Sequence, residues 1–455
     1  MSNWKGETLQ LSVFGHSHGP YIGMTFNGVP AGYTVDTDEL QNFLNRRAPG
    51  NDPLTTTRKE MDTPHFQSGL ASGCTSGDPI RAVINNTNIR SNDYAVLQNR
   101  PRPGHADYTA KIKYGMDYDI AGGGHFSGRL TAPICIAGGM CLQWLRKAGV
   151  QVFGHICAID GIEDLPYSLE VAETKEQTLD AHFPVINQQR SEQMRARIAE
   201  AKADGDSVGG IIECVVTGLP AGIGGPLFEG LEGNLSQALF GIPAVKGVEF
   251  GSGFRSATMR GSQNNDAYAI QDGKIVTQTN HAGGILGGIT NGMPVTLRLA
   301  IKPTPSIAKE QQTVDLSTLQ STMVEIKGRH DPCIVPRAVP VVEATVAIVI
   351  FDAILSLKQK DTSNLNSLRD EIDHIDGQLV QLFSKRMEIA KQIGYLKQEM
   401  NLPIYDPERE NNKLKTITTM VDEEMGDYIR ALYSSIFEIS KNYQNNSNSK
   451  NVDKK

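Results

Sequence analysis

Gln359-Lys-Asp-Thr-Ser-Asn-Leu-Asn366 divides this chain into two stretches of different character. The segment is polar and holds residue types that cap helices, which suits a short linker, 359–366, running into a new helix. Of the 45 glycines in the chain, only Gly377, Gly394 and Gly426 lie beyond it. Glycine at the upstream density weakens helices and marks tight turns, or places where backbone approaches a ligand closely. At 455 residues the chain also exceeds the size at which a single core usually stops growing. Two domains are therefore expected: a glycine-rich one over 1–358 and a helical one over 367–445. The Asn/Ser/Lys-rich tail, 446–455, is expected to be disordered.

Upstream of the divide, β-branched runs such as Ile211-Ile-Glu-Cys-Val-Val216 and Val295-Thr-Leu-Arg-Leu-Ala-Ile301 predict strands, and 138–148 and 191–203 predict helices. The fold class that follows is α+β, with a layered α/β arrangement in the large domain. No G-x-G-x-x-G and no P-loop occurs. The apolar run Ala344–Leu355 is broken by Asp352 and preceded by Glu343, so a buried element is expected there rather than a membrane span. The first residues lack the apolar core of a secretory signal. Six scattered cysteines, with no C-x-x-C pair and no metal-ligand spacing, point to a reduced, cytoplasmic protein with no metal centre. A net charge of -7 without clustered basic excess argues against a nucleic-acid partner.

Downstream, Leu365, Leu368, Ile372, Ile375, Leu379, Leu382, Ile389, Ile393 and Leu396 recur at steps of three and four, as on one helix face. Residues 365–398 would form a rod of about 50 Å. So small a domain cannot cover that rod alone, so an intertwined helical dimer is expected. The step after Leu382 lands on Arg386, and Lys397 stands near the far end. A buried cation is costly unless it meets an anion, although long cationic side chains also reach out to solvent. Asp406-Pro407 opens a second helix, as N-cap and first helical position. In a third, over 428–444, Tyr433, Phe437, Ser440 and Gln444 share a face.

Three upstream segments set His, Arg or Asp beside glycine or proline: Gly15-His-Ser-His-Gly19, Arg100–Tyr108 with Asp119–Arg129, and Lys327–Pro332. One such histidine would be a turn residue bonding its own backbone. Three such motifs point to a loop-built site for an anionic substrate, with His18 and His105 as acid/base candidates. Further motifs follow in order: Asp206-Ser-Val-Gly-Gly210, Ala244-Val-Lys-Gly-Val-Glu249, Gly261-Ser-Gln-Asn264, Asn280-His-Ala-Gly-Gly-Ile-Leu-Gly-Gly288, Lys302-Pro-Thr-Pro-Ser306 and Gly328-Arg-His-Asp-Pro-Cys333. Over about 7–355 the chain resembles chorismate synthase. The resemblance implies 1,4-elimination of phosphate from 5-enolpyruvylshikimate 3-phosphate, with reduced FMN (FMNH2) as cofactor. It implies His18 as general acid, His105 as partner of the anionic reduced flavin, Asp331 as the base at flavin N5, and Arg47 as an anion grip. FMN contacts are expected at His125, Phe126, Ser127, Pro243, Ala244, Gly287, Lys302, Pro303, Thr304, Pro305, Ser306 and Arg329. The chain departs from the family where His16 replaces the usual Glu, Ala48 an Arg, Pro53 a basic residue, and His125 an Arg. Reduced flavin is accordingly expected from outside, from a separate flavin reductase.

Residues 365–445 are similar to the helical class of chorismate mutase, which implies the Claisen rearrangement of chorismate to prephenate. Arg369, from a partner chain, and Arg386 would clamp the carboxylates. Lys397 and Gln444 would serve the ether oxygen and Glu410 the substrate hydroxyl, supported by Asp406, Arg409 and Ser440. All these positions are filled, which favours catalysis over a rival reading as a dimerisation or feedback-sensing module without chemistry. The synthase family is typically tetrameric, so a homotetramer is expected.

Overall fold

The computed structural model describes residues 2–50, 54–56, 60–87, 96–167, 182–326 and 330–452. Contacts divide the chain into two compact units, Met1–Lys358 and Gln359–Lys455.

The first unit holds two five-stranded antiparallel sheets. One orders β1 (Ser2–Lys5), β2 (Gln10–Gly15), β3 (Tyr21–Asn27), β5 (Ile80–Asn85) and β4 (His65–Ser68), in that spatial sequence. The other runs β9 (Val245–Phe250), β10 (Val295–Ile301), β8 (Gly210–Thr217), β6 (Gln151–Ile159) and β7 (Ile162–Glu163). Alternation explains their faces: Val295, Leu297, Leu299 and Ile301 of β10 are buried, while Thr296, Arg298 and Ala300 between them are not.

Helices α1 (Thr37–Arg47), α2 (Asp107–Tyr114), α3 (Thr131–Lys147), α4 (Gln188–Ala203) and α5 (Leu231–Leu239) belong to the same unit. Helix α6 has the bounds Val335–Glu399, its residues to Lys358 counting with the first unit and the rest with the second. Glycine lets α3 approach its neighbours: a Cβ on Gly138 would lie 2.3 Å from Ala344 Cα in α6, and one on Gly139 2.5 Å from Leu40 of α1. The stretch Val335–Lys358 is long and apolar enough to cross a membrane, but its most apolar window is 89% buried inside the unit. The two acids in that stretch have partners. Glu343 takes both ends of the Arg46 guanidinium at 2.7 and 3.0 Å and the Gly154 N–H at 2.9 Å. Asp352 accepts from the N–H groups of Glu7, Thr8 and Leu9 at 2.6–2.9 Å, fastening the start of the chain to the core. All six cysteines are free thiols, five of them buried.

The second unit comprises the rest of α6, α7 (Pro407–Thr418) and α8 (Gly426–Val452). Residues 359–366, expected as a linker, have helical backbone within α6, and α8 extends to Val452, past the expected start of a disordered tail. Asp406 caps α7 as its spacing predicts, its Oδ1 accepting from Arg409 N at 3.1 Å. Met387, Ala390 and Gly394 of α6 and Phe437, Ser440 and Gln444 of α8 form the buried seam. Leu368, Ile372, Ile375, Leu379 and Leu382, by contrast, are 47–65% exposed.

Candidate active sites

The first unit encloses a cavity of about 900 Å³. Arg47, at the end of α1, reaches its wall. The Arg47 Nε donates to Thr131 Oγ1 and its Nη2 to Gly128 O, both at 3.2 Å, and its Nη1 pairs with Asp62. The other oxygen of Asp62 takes Arg129, whose Nε lies 3.1 Å from Glu60 Oε2 and 3.2 Å from Asn86 Oδ1. Burial opposes a charge on Asp62, but Arg47 and Arg129 more than offset it and hold its carboxyl below the usual range. The Asp62 backbone is left-handed, at φ 49°, an uncommon state for a residue with a Cβ. Arg337 pairs with Asp331 and donates from Nε to Arg47 O at 3.0 Å, while Asp331 Oδ1 accepts from Thr56 N at 2.8 Å.

On another wall Asp107 organises a second cluster. Its Oδ2 accepts from Arg102 N at 3.0 Å and Nε at 2.7 Å, and its Oδ1 from Arg102 Nη2 at 2.8 Å. Burial again works against the carboxylate, but bonds from Arg102 and His105 drive the Asp107 carboxyl far below its ordinary value. His105 Nδ1 lies 2.6 Å from Asp107 Oδ1 and 3.1 Å from Arg102 Nη2. An ionised Asp107 can only accept, so Nδ1 carries a proton toward it and Nε2 is the nitrogen left free of this cluster. That Nε2 lies 3.5 Å from where a Cβ on Gly123 would sit. Arg102 Nη1 also donates to Ser306 Oγ at 3.0 Å, tying the 302–306 strip to the cluster.

The glycine run of the third wall is needed for its shape. Gly122, Gly123 and Gly124 have φ of 63°, 88° and 54°, and a Cβ on Gly122 would fall 1.8 Å from His18 Nδ1. His18 therefore packs directly on the backbone of this loop. Ala244, across the cavity, also has a positive φ, 74°. Burial and the nearby Lys246 lower the pKa of Lys302, whose Nζ donates to Gly104 O.

In the second unit, Arg386 donates to Ser440 Oγ and lies 5.8 Å from the centre of the Phe437 ring. Gln444 packs on Gly394, where a Cβ would lie 3.0 Å from its Cγ. Lys397 donates to Ile404 O at 2.8 Å, and Lys441 lies 3.3 Å from Glu410. Arg369 is exposed. It precedes Arg386 by 17 positions on one helix, about 25 Å along the axis, so a single chain does not bring them together.

A family model described as chorismate synthase matches residues 9–355. The chain belongs to the chorismate synthase family. Chorismate synthase of Lancefieldella parvula is 47% identical over 369 residues, covering 78% of this chain and 97% of that one. Chorismate synthase of Korarchaeum cryptofilum is 45% identical, covering 77% and 96%. A crystal structure of chorismate synthase superposes with a TM-score of 0.60 at 28% identity, covering 77% of this chain and 92% of that one. A second family model, chorismate mutase type II, matches residues 368–445. The chain is thus an enzyme that joins a lyase and an isomerase of consecutive shikimate-pathway steps.

Within the synthase unit the cavity gathers Arg47, His105, His125, Phe126, Ser127, Pro243, Ala244, Lys302, Thr304, Pro305, Ser306 and Asp331. His18 stands behind Gly122, and neither Gly287 nor Pro303 lines the cavity. Arg329 and Pro53 lie outside the described residues. Asp62 and Arg337 sit in no motif that marks them, and the glycine-flanked motifs that contain Arg102 and Arg129 give no sign of which carboxylates these residues meet. The mutase unit collects Arg386, Ser440, Gln444 and, around its second helix, Lys397, Asp406, Arg409 and Glu410. Among the described residues no group of three or more His, Cys, Asp or Glu is placed to hold a metal.

Proposed function

We propose that the synthase cavity eliminates phosphate from 5-enolpyruvylshikimate 3-phosphate to form chorismate, with reduced FMN bound beside the substrate, and that the mutase unit rearranges chorismate to prephenate. The observation that carries the first half is the cavity: about 900 Å³ walled by Arg47, Arg129, Arg337, Lys246 and Lys302. That volume is at the upper end for single-ligand sites, roughly 300–1,000 Å³, which suits a flavin and a substrate side by side.

The cavity also fits an FMN-like group by its polar inventory. Ser17 Oγ, Thr304 Oγ1, Tyr118 OH and Arg129 Nη2 are buried on residues that line it and have no hydrogen-bond partner among the described residues. Unmet buried polar atoms are costly, so a polar ligand that meets them is stabilised. His125, Phe126, Ser127, Pro243, Ala244 and the 302–306 strip would hold the flavin. When bound, reduced FMN supplies an electron as phosphate leaves and recovers it as the C6 hydrogen departs, with no net redox change. His105, its Nδ1 proton held by Asp107, presents Nε2 for proton exchange with the anionic cofactor. His18 is the general acid, held by Gly122. Asp331 is the base, and since both its oxygens are engaged, Arg337 or Thr56 must yield before it takes a proton. Arg47 grips substrate anion by exchanging Asp62 for it.

For the mutase unit, Arg386 and the partner chain's copy of Arg369 would hold the two carboxylates in a compact diaxial shape, and Lys397 and Gln444 would meet the ether oxygen where negative charge develops. The exposed apolar stripe over 368–382 supports an intertwined dimer, and a homotetramer accommodates it. We place the enzyme in the cytoplasm, supplied with reduced flavin by a separate reductase. One anaerobic assay tests the whole, following the enolpyruvyl substrate through chorismate to prephenate with reduced FMN. Chorismate that accumulates without prephenate would favour a non-catalytic helical module, and absence of phosphate release would remove the first half. Steady turnover in air with FMN and NADPH alone would refute an external reductase.

A further inference from the structure

We infer that His16 and His125 together form a proton-linked grip for a phosphate ester, through which the synthase cavity binds one of its ligands more tightly as pH falls. The inference rests on the cavity holding FMN and the enolpyruvyl substrate, and both are phosphate esters.

Two departures from the family, far apart in sequence, meet in space. The rings of His16 and His125 lie 4.4 Å apart between centroids, tilted by 38°. Where the family usually has a fixed acid and a fixed guanidinium, this chain sets two titratable imidazoles against each other. His125 lines the cavity, and His16, itself exposed, meets its ring from the 15–19 turn. Asn86 braces that turn, donating to His16 O at 3.0 Å and Gly19 O at 2.8 Å. The same Asn86 accepts from Arg129, so the Arg129, Asp62 and Glu60 cluster begins two hydrogen bonds from His16.

The charges that face His125 decide the sign. Among the described residues the titratable group that contributes is His16, and no carboxylate does. His18, on the same turn as His16, packs on Gly122 of the loop that bears His125. Burial, with His16 adding to it, pushes His125 below its ordinary value of 6.5, so the ring is mainly neutral at pH 7 in the free enzyme. A phosphate dianion beside it favours the charged form. Binding therefore takes up a proton, and affinity rises as pH falls toward the free-state value. A guanidinium would give a grip indifferent to pH over the same range.

The test is calorimetric titration of the full chain between about pH 6.5 and 8.5, the range above the phosphate's own second ionisation near 6. Paired buffers of different ionisation enthalpy report the protons taken up. One arm titrates FMN, and the other titrates the enolpyruvyl substrate into FMN-saturated protein, so the arm that takes up protons identifies the ligand held. In that arm the wild type is expected to weaken by up to about tenfold per pH unit. His125→Gln loses both uptake and slope, His125→Arg binds with a flat profile, and His16→Gln moves the uptake to higher pH by removing a neighbour that lowers His125. A flat wild-type profile in both arms, uptake that survives His125→Gln, or an unmoved profile in His16→Gln overturns the inference. Failure to bind either ligand at any pH refutes the flavin-site reading itself and the inference with it.

Discussion

Replacing Asp107 by Asn is the sharpest single perturbation of the synthase site. The side chain keeps its shape but loses its charge and one acceptor. Asp107 accepts four hydrogen bonds, two on each oxygen, from Arg102 and His105. Whichever way the amide turns, its NH2 faces two donors. Arg102 is 5% exposed, so it would remain buried without its counter-charge. Breaking a buried pair in this way costs about 3–5 kcal/mol, and the retained carbonyl places this case near 3. At roughly 2–4 °C per kcal/mol for a large domain, melting of the synthase unit should fall by about 6–12 °C. Catalysis should lose more. The carbonyl is best kept by the two Arg102 donors on the Oδ2 side, because His105 can switch tautomer to accept from an NH2 on the other side. His105 is then no longer held in the tautomer that turns Nε2 to the cavity. Loss of one positioned acid–base group costs about 10²–10⁴ in rate. The assay is anaerobic phosphate release with reduced FMN, well below the melting point, with chorismate consumption by the mutase unit as internal control. Normal phosphate release in a variant whose melting point has fallen would refute the tautomer argument and leave Asp107 a purely structural anchor. Unchanged melting would refute the charge argument as well.

Arg386→Ala should abolish conversion of chorismate to prephenate while leaving phosphate release nearly intact, and parallel loss of both activities would show that the sites are not independent. Alkaline pH should loosen the synthase unit through His155, which is buried between Glu213 at 2.8 Å and Asp164 at 3.6 Å. Burial disfavours its charge, but the two carboxylates raise its pKa to about 9. Its contribution is thus fully present below the unfolded value near 6.5 and lost as pH rises through about 9. Melting curves should decline over pH 7–9 for the wild type and much less for His155→Gln, and equal slopes would discard the idea. Gly138→Val should destabilise the synthase unit by about 3 kcal/mol or more, because its Cβ would lie 2.3 Å from the Ala344 backbone. Chemical denaturation checks this, and a neutral variant would mean that α3 and α6 can separate.

The polar segment at 359–366 and the fall in glycine beyond it pointed to a change in character there, and contacts divide the chain at Lys358 and Gln359. They did so because composition reflects which backbone conformations a segment must adopt. The same segment misled about local structure, since its backbone is helical: polar, capping residue types can start a helix but do not oblige the chain to break one. Short-range chemistry was legible throughout the second unit. Phe437, Ser440 and Gln444 share a buried face as their spacing predicts, and Asp406 with Pro407 declared its own helix start, but the face of α6 that they meet is Met387, Ala390 and Gly394 rather than the predicted leucine and isoleucine stripe. Motifs rich in glycine, histidine and arginine likewise marked the loops that wall the synthase cavity.

What no pattern could reveal is which charges meet. Asp62 bridges Arg47 and Arg129, Arg337 reaches back to Asp331 and to Arg47 O, and Glu343 waits in an apolar helix for Arg46. These partners are separated by up to 297 residues, and only the packing of α1, α3 and α6 brings them within bonding distance. The sequence by itself determined the reaction families, because close backbone approaches and charged side chains must be written into the chain as glycine, histidine, arginine and aspartate. Only the tertiary structure decided how those charges are shared. A guanidinium takes whichever carboxylate the fold delivers, and that depends on chain crossings which local spacing does not encode.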